Sequence, residues 1–345
     1  MEDNRPQYEM KKIILLALAL MISAVTFAQQ QLATLNHNGS ITVFYGGTAL
    51  QQAHNAAVNG DIITLSPGSF NSVNITKAVT IRGAGMFPDT AAGTDPTTLI
   101  GNFSITINED PQYSLYMEGL YCSGTYTYKK VYNPQYVRCY FQSITHESNN
   151  SIMENASFIN CVINRFYNSL YPSPAAARNA QFVNSVILYT SGFNYGSSSL
   201  INCVASLSME YANNVSINNS IVYNSNNNGN VNAYTSFNSI GIYIGTNCYD
   251  YFKSTGLPNH YLHNYCGYAS VFKNFRGSYN DGITFELLDS VAATCLGSDG
   301  TQVGIYGGIM PFDPSVRNPL IKKCNVASRS TADGKLAVDI EIVSE

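Results

Sequence analysis

The chain has no tryptophan and little charge: across 345 residues, Lys and Arg supply 18 and Asp and Glu 22, for a net charge of -4. No basic run in the folded part exceeds two residues (Lys129-Lys130, Lys322-Lys323). Such a surface has no electrostatic footprint for nucleic acid or an anionic membrane. Aspartate is missing altogether between Asp110 and Asp250, where the only carboxylates are Glu118, Glu147, Glu154 and Glu210. Glycoside hydrolysis needs two carboxylates flanking one bond, and the middle of this chain has almost no material for that device. Beyond residues 13–25 there is no apolar run long enough to approach a membrane span. Disorder is excluded from the other side, because 45% of the residues are hydrophobic and many are β-branched.

What is present is a repeat. Phe158-Ile159-Asn160-Cys161-Val162-Ile163 is echoed by Phe182-Val183-Asn184-Ser185-Val186-Ile187 and Leu200-Ile201-Asn202-Cys203-Val204-Ala205. Ile217-Asn218-Asn219-Ser220-Ile221-Val222 and Ser236-Phe237-Asn238-Ser239-Ile240-Gly241 continue it. The asparagines are 24, 18, 17 and 19 residues apart, each followed by Cys or Ser. A period near 20 with short apolar runs is the mark of a solenoid. Asparagine tolerates the left-handed backbone region that a sharp bend between strands requires. Asn160, Asn184, Asn202, Asn219 and Asn238 are therefore expected to form a structural ladder of bends, with side chains able to bond up the stack.

The N-terminus reads as an export signal: Met10-Lys11-Lys12, the apolar stretch Ile13 to Val25, and a small residue at Ala28 fit a cleavable leader over 1–28. The protein is expected to be exported (periplasmic, cell-surface or secreted), with no membrane span once the leader is removed. Of eight cysteines, Cys122, Cys139, Cys161 and Cys203 fall in strand-like apolar runs and read as buried small hydrophobes. Cys161 and Cys203 are two coils apart, beyond disulfide reach. Cys248, Cys266, Cys295 and Cys324 lie outside the clear repeats, and a bridge among them is open. His260 and His263, near Cys248, Cys266 and Asp250, match no zinc spacing, so neither a metal nor a cofactor is expected.

Residues 48–60 predict a short helix, with Thr48 and Gln51 as a capping box and Gly60 as its stop. It would plug the open end of the first coil. Strand-sized runs follow: Ile62–Leu65, Val73–Ile75, Ala78–Ile81, Thr97–Ile100 (ending at Gly101), Ser104–Ile107, and the repeats to about 245. Residues 246–281, crowded with tyrosine, read as a long loop or irregular coil. The coil rhythm is expected to return at Ile283–Leu287 and close over Leu296–Gly308. From Pro311 the chain reads as a tail, 311–345, with one strand candidate, Leu336–Val343, that has no obvious partner. Residues 29–310 would then form the solenoid.

The opening Ala49–Ala53, Gly60–Gly68 and Ile81-Arg82-Gly83-Ala84-Gly85, the Asn-Cys/Ser coils, and the closing Asp299-Gly300-Thr301 with Gly304–Gly308 resemble the pectin-lyase-like superfamily. The closing segment is similar to those of exported β-helix proteins of Bacteroidetes-type bacteria. The resemblance implies an all-β fold: a right-handed parallel β-helix with a short N-terminal capping helix and a short C-terminal strand extension. It implies no single activity, because the superfamily holds lyases, hydrolases, esterases and adhesins. The aspartate clusters of its pectate lyases, polygalacturonases and pectin methylesterases have no counterpart here.

A lyase can work with one base, one acid and a charge-neutralising group. Lys129, Lys130, Arg138, His146, Arg165, Arg178, Tyr167 and Tyr211 are the central residues of suitable type. Arg138 and Arg165 could meet a uronate carboxylate, since guanidinium matches carboxylate geometry; Tyr167, Glu210 and Tyr211 complete the ligand-binding candidates. No catalytic residue is assigned. The expectation is a non-catalytic protein presenting a polar Asn/Tyr-rich face to a polysaccharide or cell-surface partner. The alternatives are a polysaccharide lyase or glycoside hydrolase with an atypical site, and a scaffold pairing through its C-terminal strand. Oligomeric state is left open.

Overall fold

The computed structural model describes residues 31–90, 93–107, 112–147, 151–168, 177–191, 197–206, 215–223, 235–237, 239–243, 262–278, 284–315, 320–326, 334–335 and 338–343. The expected leader, Asn238, Glu210, Tyr211, Cys248, Asp250 and His260 lie outside the described residues, as do the side chains of His263, Cys266 and Cys324.

Short strands separated by bends stack into an all-β parallel solenoid. Its first sheet has 11 strands. Two antiparallel strands, β1 (Leu32–His37) and β2 (Ser40–Tyr45), lie at one end, and β1 pairs antiparallel with β3 (Ile62–Leu65). From β3 the sheet is parallel through Thr80–Arg82, Tyr116–Glu118, Gln135–Val137, Ser157–Ile159, Gln181–Val183, Ser199–Ile201, Ser216–Asn218 and Thr235–Phe237. A second sheet of 14 strands carries the next side of each coil, including Tyr121–Thr127, Tyr140–Phe141, Val162–Ile163, Val186–Ile187, Val204–Ser206, Ile221–Tyr223, Ser239–Tyr243 and Leu262–Cys266. Three two-residue strands, Val131–Tyr132, Met153–Glu154 and Ala177–Arg178, form a third.

The interior is a set of vertical files. Met117, Tyr136, Phe158, Phe182, Leu200 and Ile217 are aligned rung on rung and buried. The rings of Tyr136 and Phe158, and of Phe158 and Phe182, stack with centroids 4.8 Å apart, the separation of neighbouring strands. Each such pair adds about 0.5–1.5 kcal/mol beyond its burial.

The bends explain the asparagines. Arg138, Asn160, Asn184, Asn202 and Asn219 each follow a registered strand of the first sheet, with φ between 45° and 53°. A second left-handed file precedes the same strands at Asn133, Asn155, Asn179 and Ser197. It is here that one asparagine bonds another, Asn155 Nδ2 donating to Asn133 Oδ1 at 3.0 Å.

The residue after each bend points inward. Cys161 Sγ lies 3.3 Å from Tyr136 O, and Cys203 Sγ 3.2 Å from Phe182 O. Ser185 Oγ accepts from Cys161 N at 3.0 Å, and Ser220 Oγ from Cys203 N at 2.9 Å. The position thus requires a small side chain with a polar tip that ties one rung to the next. Cys122, Cys139, Cys161, Cys203 and Cys295 are buried and unpaired. Burial pushes the Cys139 and Cys203 thiols up to about 12. Cys161→Ser is expected to change stability by no more than about 1 kcal/mol, whereas Cys161→Leu, overfilling the file, costs about 1–3 kcal/mol. Thermal melts of the two variants check the order.

The helix α1 runs Ala49–Ala56, ending before Gly60, and Ala49, Leu50, Ala53 and His54 are buried against the first rungs. Thr48 is its N-cap, but its hydroxyl accepts from Gln52 Nε2 at 3.0 Å, while Gln51 bonds Asn55. The expected capping box does not form. Gly101 does not end a strand either: Thr97–Ile105 continues through it with a register shift between Leu99 and Asn102. A glycine at φ 83° absorbs the bulge.

The C-terminal part departs most from the sequence expectation. Residues 284–315 add no rung; they contain the helix α2 (Asp289–Thr294), turns and one isolated bridge, Leu296 with Gln302, while a second bridge joins Leu287 to Phe272. Phe285, Leu287, Val291, Cys295, Val303 and Ile305 pack on Val162, Val186, Val204, Ile221 and Tyr223, on the outer side of the second sheet. Val338–Val343 does have a partner in the chain, the antiparallel strand Leu320–Val326.

Candidate functional site

The asparagine file could have been a polar surface; instead the closing segment lies over it. Asn184 Nδ2 donates to Ile305 O and Gly307 O, both at 2.8 Å. Ser298 N donates to Asn219 Oδ1 at 2.9 Å, and Gly304 N to Asn219 O at 2.8 Å. Gly308, at φ 77°, passes so close that a Cβ there would collide with Asn202 Nδ2. Asn160, Asn184, Asn202 and Asn219 are all buried. All four shape the bends, Asn184 and Asn219 also hold the closing segment, and the surface left for a partner lies elsewhere.

Arg138 occupies the place in the bend file that asparagine takes in the later coils. Its guanidinium is hydrogen-bonded to Glu118 Oε1. Glu118 Oε2 accepts from Tyr116 OH at 2.9 Å and lies 3.7 Å from Arg82 Nε. Burial first, and the Glu118 carboxylate second, push the Tyr116 phenol up to about 12. With Arg138 only 14% exposed, its charge is spent on holding a bend and neutralising Glu118. Arg138 and Arg165 do not meet: one precedes the strand Tyr140–Phe141, while the other follows Val162–Ile163 one rung on.

Arg165 belongs to a different surface. On the outer side of the second sheet, Tyr126, Thr145 and Tyr167 are in register on successive rungs. Tyr126 and Tyr128 stack at 6.3 Å, and the Arg165 guanidinium lies 5.7 Å from the Tyr189 ring centroid. Tyr128, Tyr167 and Tyr189 are 47%, 38% and 38% exposed. The result is a strip of partly exposed aromatic rings together with the Arg165 guanidinium, crossing rungs about 4.8 Å apart. Of the ligand-binding candidates, Arg165 and Tyr167 fall here, both exposed and two residues apart in the chain.

The lyase-type residues are scattered. His146 is fully buried, its Nδ1 3.1 Å from Ser151 O and 2.7 Å from Thr127 Oγ1. Lys130 sits 3.2 Å from Glu154 and over the Tyr132 ring at 4.4 Å. Arg178 is aligned with Glu154 on the next rung.

One arrangement escaped the sequence reading. Beside the β1–β2 turn, a cavity of about 470 Å³ is lined by Asn36, His37, Asn38, Asn59, Asp61 and Tyr113, among others. The buried Asp61 accepts from Val58 N at 2.8 Å and lies 2.8 Å from His37 Nδ1, while Asn38 Nδ2 is 3.3 Å from His37 Nε2. Among the described residues no Ser, Cys, Lys or Glu lines this cavity, and the titratable groups beside the imidazole are the Asp61 carboxylate and the Tyr113 phenol. His37 and Asp61 are 24 residues apart, and only pairing of β1 with β3 joins them.

No group of three or more metal-ligating side chains occurs among the described residues, and no helix among them is long and apolar enough to cross a membrane. Comparison with protein-family models, curated proteins and solved structures finds no match to this chain. The class defined by the fold is a parallel β-solenoid.

Proposed function

We propose that this chain is an exported β-helix protein of the pectin-lyase-like kind that binds an acidic polysaccharide without cleaving it. The observation that carries the reading is the exposed strip of Tyr128, Arg165, Tyr167 and Tyr189. Tyrosine faces offer platforms for the apolar faces of sugar rings. A guanidinium stacked on an aromatic keeps its N–H edge free for a carboxylate. The scarcity of carboxylates in the central coils supports binding over hydrolysis.

Calorimetric titration with polygalacturonate and alginate, against a neutral glucan, tests it. Arg165→Ala and Tyr167→Ala should each weaken binding to the acidic polymers by about tenfold, equivalent to ~1.4 kcal/mol. Unchanged affinity in both variants would remove the strip from the reading. Release of unsaturated ends absorbing in the ultraviolet, lost in His37→Ala but kept in Arg165→Ala, would replace it with lyase activity in the His37–Asp61 cavity.

A further inference from the structure

The first sheet ends, among the described residues, at β2. A sheet edge offers unpaired N–H and C=O groups, and native proteins guard it with lysine, proline, a bulge or a covering segment. β2 reads Ser-Ile-Thr-Val-Phe-Tyr and pairs with β1 in unbroken register. Ile41 is 65% exposed, Val43 39% and Tyr45 56%. These three lie on one face, opposite Asn36, Thr34 and Leu32 of β1. Thr42 and Phe44 take the other, beside Leu35 and Ala33, and Phe44 packs on the core.

The charge pattern indicates what this edge accepts. From residue 31 to residue 60 there is no Lys, Arg, Asp or Glu, and the first carboxylate, Asp61, is buried on His37. Forty charged residues are spread along the chain, yet none lies on β1, β2 or α1; beside these elements Asp61 is held by His37, and Lys77 Nζ is bound by the carbonyls of His54, Asn55 and Ala57. A partner recognised by charge would find nothing to read. A second copy of the same neutral end would meet no repulsion.

We propose that two copies of this chain join end to end through antiparallel pairing of β2 with β2. Val43 sits on the two-fold axis opposite its own counterpart, and Ile41 of each copy opposes Tyr45 of the other. This register keeps the exposed apolar row continuous and makes cross-strand aromatic–β-branched pairs. The interface is isologous, so it closes at two copies and does not propagate. Six residues of strand bury less than a standard interface, and the association is accordingly in the micromolar range.

Sedimentation of the exported form across a concentration series tests the pairing. Wild type should pass from one chain mass to two; Val43→Lys and Ile41→Lys should stay at one, with circular dichroism and melting unchanged because both side chains are solvent-exposed. In Val43→Cys, oxidation should give a covalent dimer absent from the wild type treated alike. Residues on the axis of an antiparallel pair lie about 4.5–5.5 Å apart at Cα, within disulfide range. A wild type that remains one chain mass throughout overturns the proposal; slow exchange of the β2 amides in that monomer would assign the edge to residues before 31. A dimer indifferent to both lysine variants and not captured by Val43→Cys overturns it equally, placing the interface elsewhere.

Discussion

Replacing Asn184 with alanine should release the closing segment, Leu296–Gly308, from the solenoid. The asparagine does two jobs. Its backbone, at φ 45°, takes a bend that costs an alanine about 1–2 kcal/mol. Its amide also donates to Ile305 O and Gly307 O in a buried setting, and each bond contributes about 1 kcal/mol net. The sum is about 3–4 kcal/mol, large against the margin by which domains are stable. Asn184→Gly should recover only the bend, and Asn160→Ala, which has no bond to the closing segment, should lose only the bend. The measurement is amide exchange at 296–308 together with the melting curve. Equal losses for Asn184→Ala and Asn160→Ala would mean that the segment is held by its apolar contacts and by Asn219 without help from Asn184.

Acid should weaken the central coils through His146. Burial lowers its pKa from the usual 6.5 to about 4, so the folded protein keeps it neutral where the unfolded chain protonates it. The unfolded state then binds more protons, and stability falls as the pH drops from about 6.5 towards 4, levelling off below. At about 1.4 kcal/mol per pH unit, the loss approaches ~3 kcal/mol. His54, lowered to about 4 by burial and secondarily by Lys77, acts in the same direction. Urea midpoints at pH 7 and pH 4 for the wild type and His146→Gln give the contribution by difference. The same pH slope in both proteins would show that His146 is charged in the fold or reached by water.

Some of what the sequence reading passed over was visible in the chain. Asn38-Gly39, between two runs of β-branched residues, is a strong local hairpin signal, and those residues do turn β1 into β2 at φ 50° and 86°. Asn133, Asn155 and Asn179 stand five residues ahead of Arg138, Asn160 and Asn184, so the second bend file had its own period. Val162-Ile163, Val186-Ile187, Val204-Ala205 and Ile221-Val222 are apolar at both positions, the pattern of strands buried on both faces. That pattern announces a cover without naming it. Arg138 was less legible: its position in the bend file matched, but an arginine there is explained only by Glu118 one rung away.

The repeat, the bends and the inward files were written in the chain, because strand stacking links residues at a nearly fixed spacing and each rung meets only its neighbours. What covers those rungs was not. Contact between Asn184 and Gly307 spans 123 residues, and the pairing of His37 with Asp61 depends on one strand reversing direction beside another. Such contacts follow from which apolar face remains open once the coils have formed, and that is a property of the assembled surface, which no local spacing encodes.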